Sequence, residues 1–275
     1  MKISDKDLKE LFSNKIIQYD NSNRNSEVFI YNNQVLKIYT ETDKRYKYNL
    51  KVLKELFKKY KYLKNIKELV LPQDIISYNS NIVGFSMPLI NGITLDKAIN
   101  DNLLTEDEIK SIFIKLLHLI NKFKELPFNF MIGDLHEKNV IIDKYLNINI
   151  IDCDSFIINN KKLVIDNQVL IGKYPNHYFN NKELKDKNIK LDYFCLLSMI
   201  LNYVFKDIID ISNPIKFIIE HNEFNSLNYL INRLNNPNNF NLTENDIDNI
   251  FKLKDKIIIK DNPELEKELS RLRKI

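Results

Sequence analysis

Glycine is in short supply: the 275-residue chain has four, and the first of them is Gly84. Any tight left-handed turn in the first quarter would therefore have to be made without glycine, usually the residue of choice for such backbone. Cysteine is nearly as rare. Cys153 and Cys195 stand far apart in apolar surroundings, which excludes a disulfide framework or a zinc set and implies a reducing compartment, the cytoplasm. Long apolar runs are missing too. The longest, residues 193–205, falls short of the roughly 20 residues of a membrane span and reads as a buried core helix. The N-terminal "MKISDKDLKELFSN" mixes charged and apolar residues and lacks the apolar centre of a signal peptide. A strong excess of one charge is also lacking: 41 basic against 37 acidic residues give a formal +4. The lysines are scattered, so neither a nucleic acid nor a membrane surface is the expected partner.

What is present is ordinary globular material, 44% hydrophobic and 28% charged, enough for one large domain or two lobes. The first quarter reads as β-rich: "KIIQYD", "SEVFIYNN" and "QVLKIYT" are short β-branched and aromatic runs, with Asn32-Asn33 as a tight turn. From about residue 43 to 64 the pattern becomes a lysine-rich amphipathic helix with Leu50, Leu53 and Phe57 at helical spacing. Strands are expected near 75–78 and 82–87, then a connector, "PLINGITL". Thr105 and Glu108 form a capping box that opens a long helix. Further helices are expected over 192–205, 214–235 and 243–258 and after Pro263, with short strands and loops over 132–156. The order is a small β-lobe with one helix, a hinge near residue 90 and a helical lobe with a β-hairpin insertion.

The stretch "IGDLHEKNVIIDKYLNINIIDCDSF" carries the chemistry. Asp134 and Asn139 are five residues apart, so one tight loop presents both to one space. The apolar runs that follow suit a hairpin, which would return Asp152 beside Asn139. Two oxygen ligands at adjacent strand ends suit Mg²⁺, a hard ion held by few protein ligands plus phosphates and water.

These segments resemble the protein-kinase superfamily, including its atypical bacterial and small-molecule branches. "GDLHEKN" resembles the catalytic loop, "IIDCDSF" the metal-binding motif, "QVLKIY" the strand with the nucleotide lysine, "GFSMPLINGITL" the hinge segment, and "KLDYFCLLSMILNYVF" the central helix of the large lobe. The resemblance covers roughly residues 15 to 207. It implies an α+β, two-lobed fold with an N-lobe over 1–90 and a C-lobe over 91–275, and MgATP as cosubstrate. It implies that Lys37 fixes the α- and β-phosphates. Glu55, the only carboxylate between Asp43 and Glu68, becomes its helix partner by elimination. Asp152 and Asn139 would hold Mg²⁺, with Asp154 a further ligand or a turn carboxylate. Asp134 would orient the acceptor hydroxyl, His136 touch the γ-phosphate, and Asp192 brace the catalytic loop. Met87, Pro88 and Leu89 would line the adenine pocket, and Asn21, Asn23, Ser26 and Val28 would also contact the nucleotide.

The pattern is also broken in places. The glycine positions of the phosphate loop hold Asn21, Asn23 and Ser26, and the His and Arg that usually precede the catalytic Asp are replaced by Ile132 and Gly133. "GDLH" is familiar from aminoglycoside- and choline-type phosphotransferases, whereas "IDCDSF" followed by "GKYP" resembles divergent bacterial protein kinases. The expected acceptor is a protein Ser or Thr. A small-molecule alcohol and an inactive scaffold are the alternatives.

Overall fold

The computed structural model describes Ser4 and residues 26–39, 44–159, 189–205, 227–230 and 241–261. The strand expected at 15–20, Asn21, Asn23, the "GKYP" segment, most of the 214–235 helix and the helix after Pro263 lie outside the described residues. The fold is mixed α+β, with small antiparallel sheets and several helices. The chain divides into two compact units, Met1–Thr105 with Glu125–Val164, and Glu106–Lys124 with Ile165–Ile275.

In the first unit, β1 (Ser26–Tyr31), β2 (Gln34–Tyr39), β3 (Asp74–Tyr78) and β4 (Asn81–Pro88) form an antiparallel sheet in the order β1-β2-β4-β3. Asn32 and Asn33, at φ 48° and 62°, turn the first hairpin, and Asn79 and Ser80, at 46° and 63°, turn the second. Two consecutive left-handed residues match the twist of the flanking strands, and Asn tolerates that conformation well. The register puts Phe29, Leu36, Ile38 and Ile76 on one face, where they form a cluster no more than 4% exposed. Val28, Val35, Lys37 and Tyr39 alternate onto the other face and are half-buried.

Helix α1 (Lys44–Leu63) buries Val52, Leu53, Leu56 and Leu63. Leu50 and Phe57, expected in its apolar stripe, are only half-buried, so the stripe is turned by about one residue from the expected one. A second sheet, β5-β7-β8, joins β5 (Gly92–Thr94), β7 (Val140–Asp143) and β8 (Ile148–Ile150). Backbone bonds between Val70 N and Ile150 O (2.9 Å) and between Ile150 N and Glu68 O (2.7 Å) extend it. The short strands β6 (Phe130–Met131) and β9 (Ile157–Ile158) pair with each other. Helix α2 (Leu95–Asn100) begins at Thr94, whose Oγ1 accepts from Lys97 N at 3.3 Å.

The second unit contains α3 (Glu106–Lys122), α4 (Ile189–Val204) and α5 (Glu244–Asp261). Every residue of α4 from Leu191 to Leu201 is buried, as a helix apolar on all sides requires. The rings of Phe113, Tyr203 and Phe251 meet at 5.9–6.3 Å between centroids. Reciprocal bonds start α5: Thr243 N donates to Asp246 Oδ2 at 2.8 Å and Asp246 N to Thr243 Oγ1 at 3.2 Å. No described helix is long and apolar enough to cross a membrane.

Candidate active site around Lys37 and Asp152

Strand pairing aims Lys37. On β2 it lies opposite Val28 of β1 and Phe85 of β4. Close approach at this point depends on Gly84, where a Cβ would fall 2.0 Å from the Lys37 carbonyl oxygen. The loops that meet the lysine are tied at both ends. Strand β6 leads into Asp134, β9 follows Asp152 by a few residues, and the β6–β9 ladder holds the two together. Gly133, at φ 78°, lets the first loop press against the second, since a Cβ there would lie 2.7 Å from Ser155 O. The β7–β8 hairpin brings the chain back, and Ile151 N donates to Asn139 O at 3.0 Å. Asp152 itself has φ 66°, an uncommon conformation for a side-chain-bearing residue, held here by Ser155 N and Ser155 Oγ donating to its carbonyl at 3.0 and 2.7 Å.

Lys37 Nζ donates to Asp152 Oδ1 and, at 2.7 Å, to Asp154 Oδ1. Tyr39 OH and Asn49 Nδ2 donate to Asp154 Oδ2 at 3.0 and 3.1 Å. The Asp154 side chain is 2% exposed, Lys37 12% and Asp152 29%. Next to them, Asn139 Nδ2 donates to the Asp134 carbonyl at 3.0 Å. His136 Nε2 lies 3.0 Å from Asn139 Nδ2 and 3.7 Å from Asp134 Oδ2.

Burial works against the charge on Lys37, but Asp152 and Asp154 outweigh it and hold the ammonium protonated well above the ordinary lysine range. Asp152 is pushed up by burial; Lys37 pulls the other way, and the like charge of Asp154 adds to the rise. Burial and then Asp154 push the Tyr39 hydroxyl far up, so it remains a donor. For His136 burial disfavours the charged form, yet the nearby Asp134 carboxylate prevails and raises the pKa. Cys153 is fully buried, and its thiol is pushed well up by burial and by Asp154, the surroundings of a packing group.

Lys37, Asp134, His136, Asn139, Asp152 and Asp154 thus share one neighbourhood. Glu55 is not brought to Lys37: its Oε1 accepts from Lys58, one turn along the same helix, at 3.0 Å. The reason is helical phase. Asn49 is the α1 residue that reaches Asp154, and six residues at about 100° each put Glu55 roughly 120° round the helix from it. Asp154, expected as a metal ligand or turn carboxylate, is a buried ion-pair partner. Ser26 begins β1 opposite Tyr39, Val28 and Met87 lie on the same sheet face as Lys37, and Pro88 ends β4 opposite Gln34. Leu89 lines a cavity with Ile142 and Tyr145. Asp192 is fully buried in the first turn of α4.

Sequence reasoning missed Tyr39 and Asn49. Both carry a signal in hindsight. Tyr39 is two residues beyond Lys37 and so shares its face, and Asn49 precedes Val52, Leu53 and Leu56 at the spacing of a buried stripe.

Among the described residues no group of three or more His, Cys, Asp or Glu side chains is arranged to hold a metal. Any cation at Asp152 and Asn139 would need ligands from a bound molecule or water. No protein-family model matches the chain, and no curated protein matches it.

Proposed function

We propose that the chain is an ATP-dependent phosphotransferase with a two-lobed, protein-kinase-like fold, its lobes spanning 1–90 and 91–275. The observation that carries this reading is the direct ion pair between Lys37 on β2 and Asp152, 115 residues later, with Asp134 and Asn139 alongside. One ammonium is paired with Asp152 and Asp154, and the charge of Asp134 acts on Asp152 as well, an excess of negative charge that a divalent cation would balance. Asp152, partly exposed, and Asn139 are the oxygen donors suited to Mg²⁺; two protein ligands are enough when phosphate and water complete the shell. The bound ion supplies neutralisation of the phosphate charge.

Each residue then has a task in positioning, which is most of what phosphoryl transfer requires. Lys37 binds the α- and β-phosphates. Asp134 orients the acceptor hydroxyl and takes its proton late. His136, beside Asn139 and Asp134, is placed to touch the γ-phosphate. Val28 and Met87 offer apolar surface to the adenine ring on the lysine's side of the sheet. The acceptor is a protein Ser or Thr.

A second reading, transfer to a small-molecule alcohol or aminosugar, is favoured by His136, set against Asn139 and Asp134 within the "GDLH" sequence. Labelled ATP in Mg²⁺ tests both. Wild type should phosphorylate itself or a generic basic protein, and Asp152→Ala and Asp134→Asn should each lose at least about a hundredfold. Transfer only to an added alcohol would select the second reading. Neither binding nor transfer of MgATP by the wild type would leave an inactive scaffold.

A further inference from the structure

We propose that Asp154 is the residue that positions Lys37 for nucleotide binding, in the place where Glu55 was expected. The inference rests on the phosphotransferase reading and extends it to a residue that is neither metal ligand nor turn former.

The two carboxylates on Lys37 differ in surroundings. Asp154 is 2% exposed, and both its oxygens are engaged: Lys37 Nζ on Oδ1 at 2.7 Å, Tyr39 OH and Asn49 Nδ2 on Oδ2 at 3.0 and 3.1 Å. A carboxylate so enclosed and so fully bonded has little capacity left for a cation and its water. Asp152 is 29% exposed and has Lys37 as its side-chain partner. It can exchange the ammonium for a metal ion without exposing a buried group.

Were Asp152 to take a cation, Lys37, only 12% exposed, would still need a resident opposite charge to hold it before phosphates arrive, because an unpaired buried ammonium is costly. Asp154 supplies that charge. Its other donors come from separate elements, Tyr39 from β2 and Asn49 from α1, so the carboxylate fixes the lysine, its strand and the helix to one point. Glu55 pairs with Lys58 on its own helix, and Asn49 is the helix residue bonded to Asp154. The helix therefore reaches the site through an amide, and the ionic partner comes from the loop after β8.

The test measures the rate of amine-specific labelling of Lys37 by mass spectrometry, and steady-state transfer with MgATP, on full-length wild type, Asp154→Asn, Asp154→Glu and Glu55→Gln. Removing the buried charge partner should raise Lys37 labelling about tenfold and lower kcat/KM for ATP about a hundredfold, chiefly through KM. Asp154→Glu should recover part of both, and Glu55→Gln should stay within about threefold of wild type in both. Thermal melts verify that each variant is folded. If Asp154→Asn is unfolded, Tyr39→Phe with Asn49→Leu replaces it, leaving the charge but loosening its seat, with a labelling rise of about threefold expected.

Unchanged Lys37 labelling in Asp154→Asn overturns the inference, as does a Glu55→Gln loss of equal size. Recovery of Asp154→Asn activity by high Mg²⁺ or Mn²⁺ overturns it as well, by making Asp154 a metal ligand. A wild type inert toward MgATP with the labelling contrast intact would refute the phosphotransferase reading and leave the anchoring of Lys37 by Asp154 standing.

Discussion

The two faces of the β1-β2-β4-β3 sheet are built from alternate residues of the same strands, yet they do different work. One gathers Phe29, Leu36, Ile38 and Ile76 into a cluster no more than 4% exposed. The other carries Lys37 and Tyr39, half-buried and bonded to carboxylates from a loop more than a hundred residues away. Burial of apolar area drives folding and is non-directional. An ion pair in a partly buried site contributes little net stability, because desolvation offsets the attraction, but it fixes geometry. The contrast therefore teaches that stability and function of this sheet should be separable by substitution, residue by residue along one strand.

The largest effect on stability is expected on the apolar face. Phe29→Ala removes a ring that is 1% exposed and should cost about 3–5 kcal/mol in urea denaturation. If the residual folded protein still binds ATP at low temperature, the two faces are separable. A cost below about 1 kcal/mol would mean that the cluster is not core.

On the opposite face Lys37→Met should invert the pattern: transfer from ATP is lost by at least about a hundredfold, while stability falls by only about 1–3 kcal/mol. That cost arises from charge left on Asp154, which keeps Tyr39 and Asn49 as donors. Lys37→Met combined with Asp154→Asn removes both charges and preserves a neutral acceptor. The double variant should therefore regain about 1–2 kcal/mol over the single one and remain inactive. Equal stability of the two would show that Asp154 carries no strain when the lysine is removed.

The same contrast explains what could be read from the chain alone. Alternation and turn chemistry are local, so the hairpins at Asn32-Asn33 and between the "VIID" and "INI" runs were legible, as was the all-round apolar helix α4. The grouping of Lys37 with Asp134, Asn139 and Asp152 was legible as an ordered set of motifs. The lysine's partner was not. Elimination among nearby carboxylates weighs distance along the chain, whereas the partner is decided by azimuth on α1 and by where the β8 loop ends. Glu55 pairs along its own helix with Lys58, and Asp154 lies 117 residues from Lys37. On α1 a polar Asn49 in register with Val52, Leu53 and Leu56 marks a helix face that meets something polar.

The smallest expected effect concerns the device that decides which face is which. Strand residues alternate, so a slip of one position between β1 and β2 would carry Lys37 into the apolar face and Leu36 out of it. The Asn32-Asn33 turn sets that register, holding Tyr31 opposite Gln34 and Val28 opposite Lys37. Asn33, at φ 62°, is tolerable there but not optimal. Asn33→Gly relieves the left-handed strain and adds unfolded-state freedom, so the net change should be within about 0.5 kcal/mol. Asn33→Ala retains the strain without asparagine's local polar contacts and should cost about 1 kcal/mol. Both should bind ATP like wild type if register survives. A fall in ATP affinity for Asn33→Ala larger than its fall in stability would show that the turn governs the lysine's position and not merely the fold.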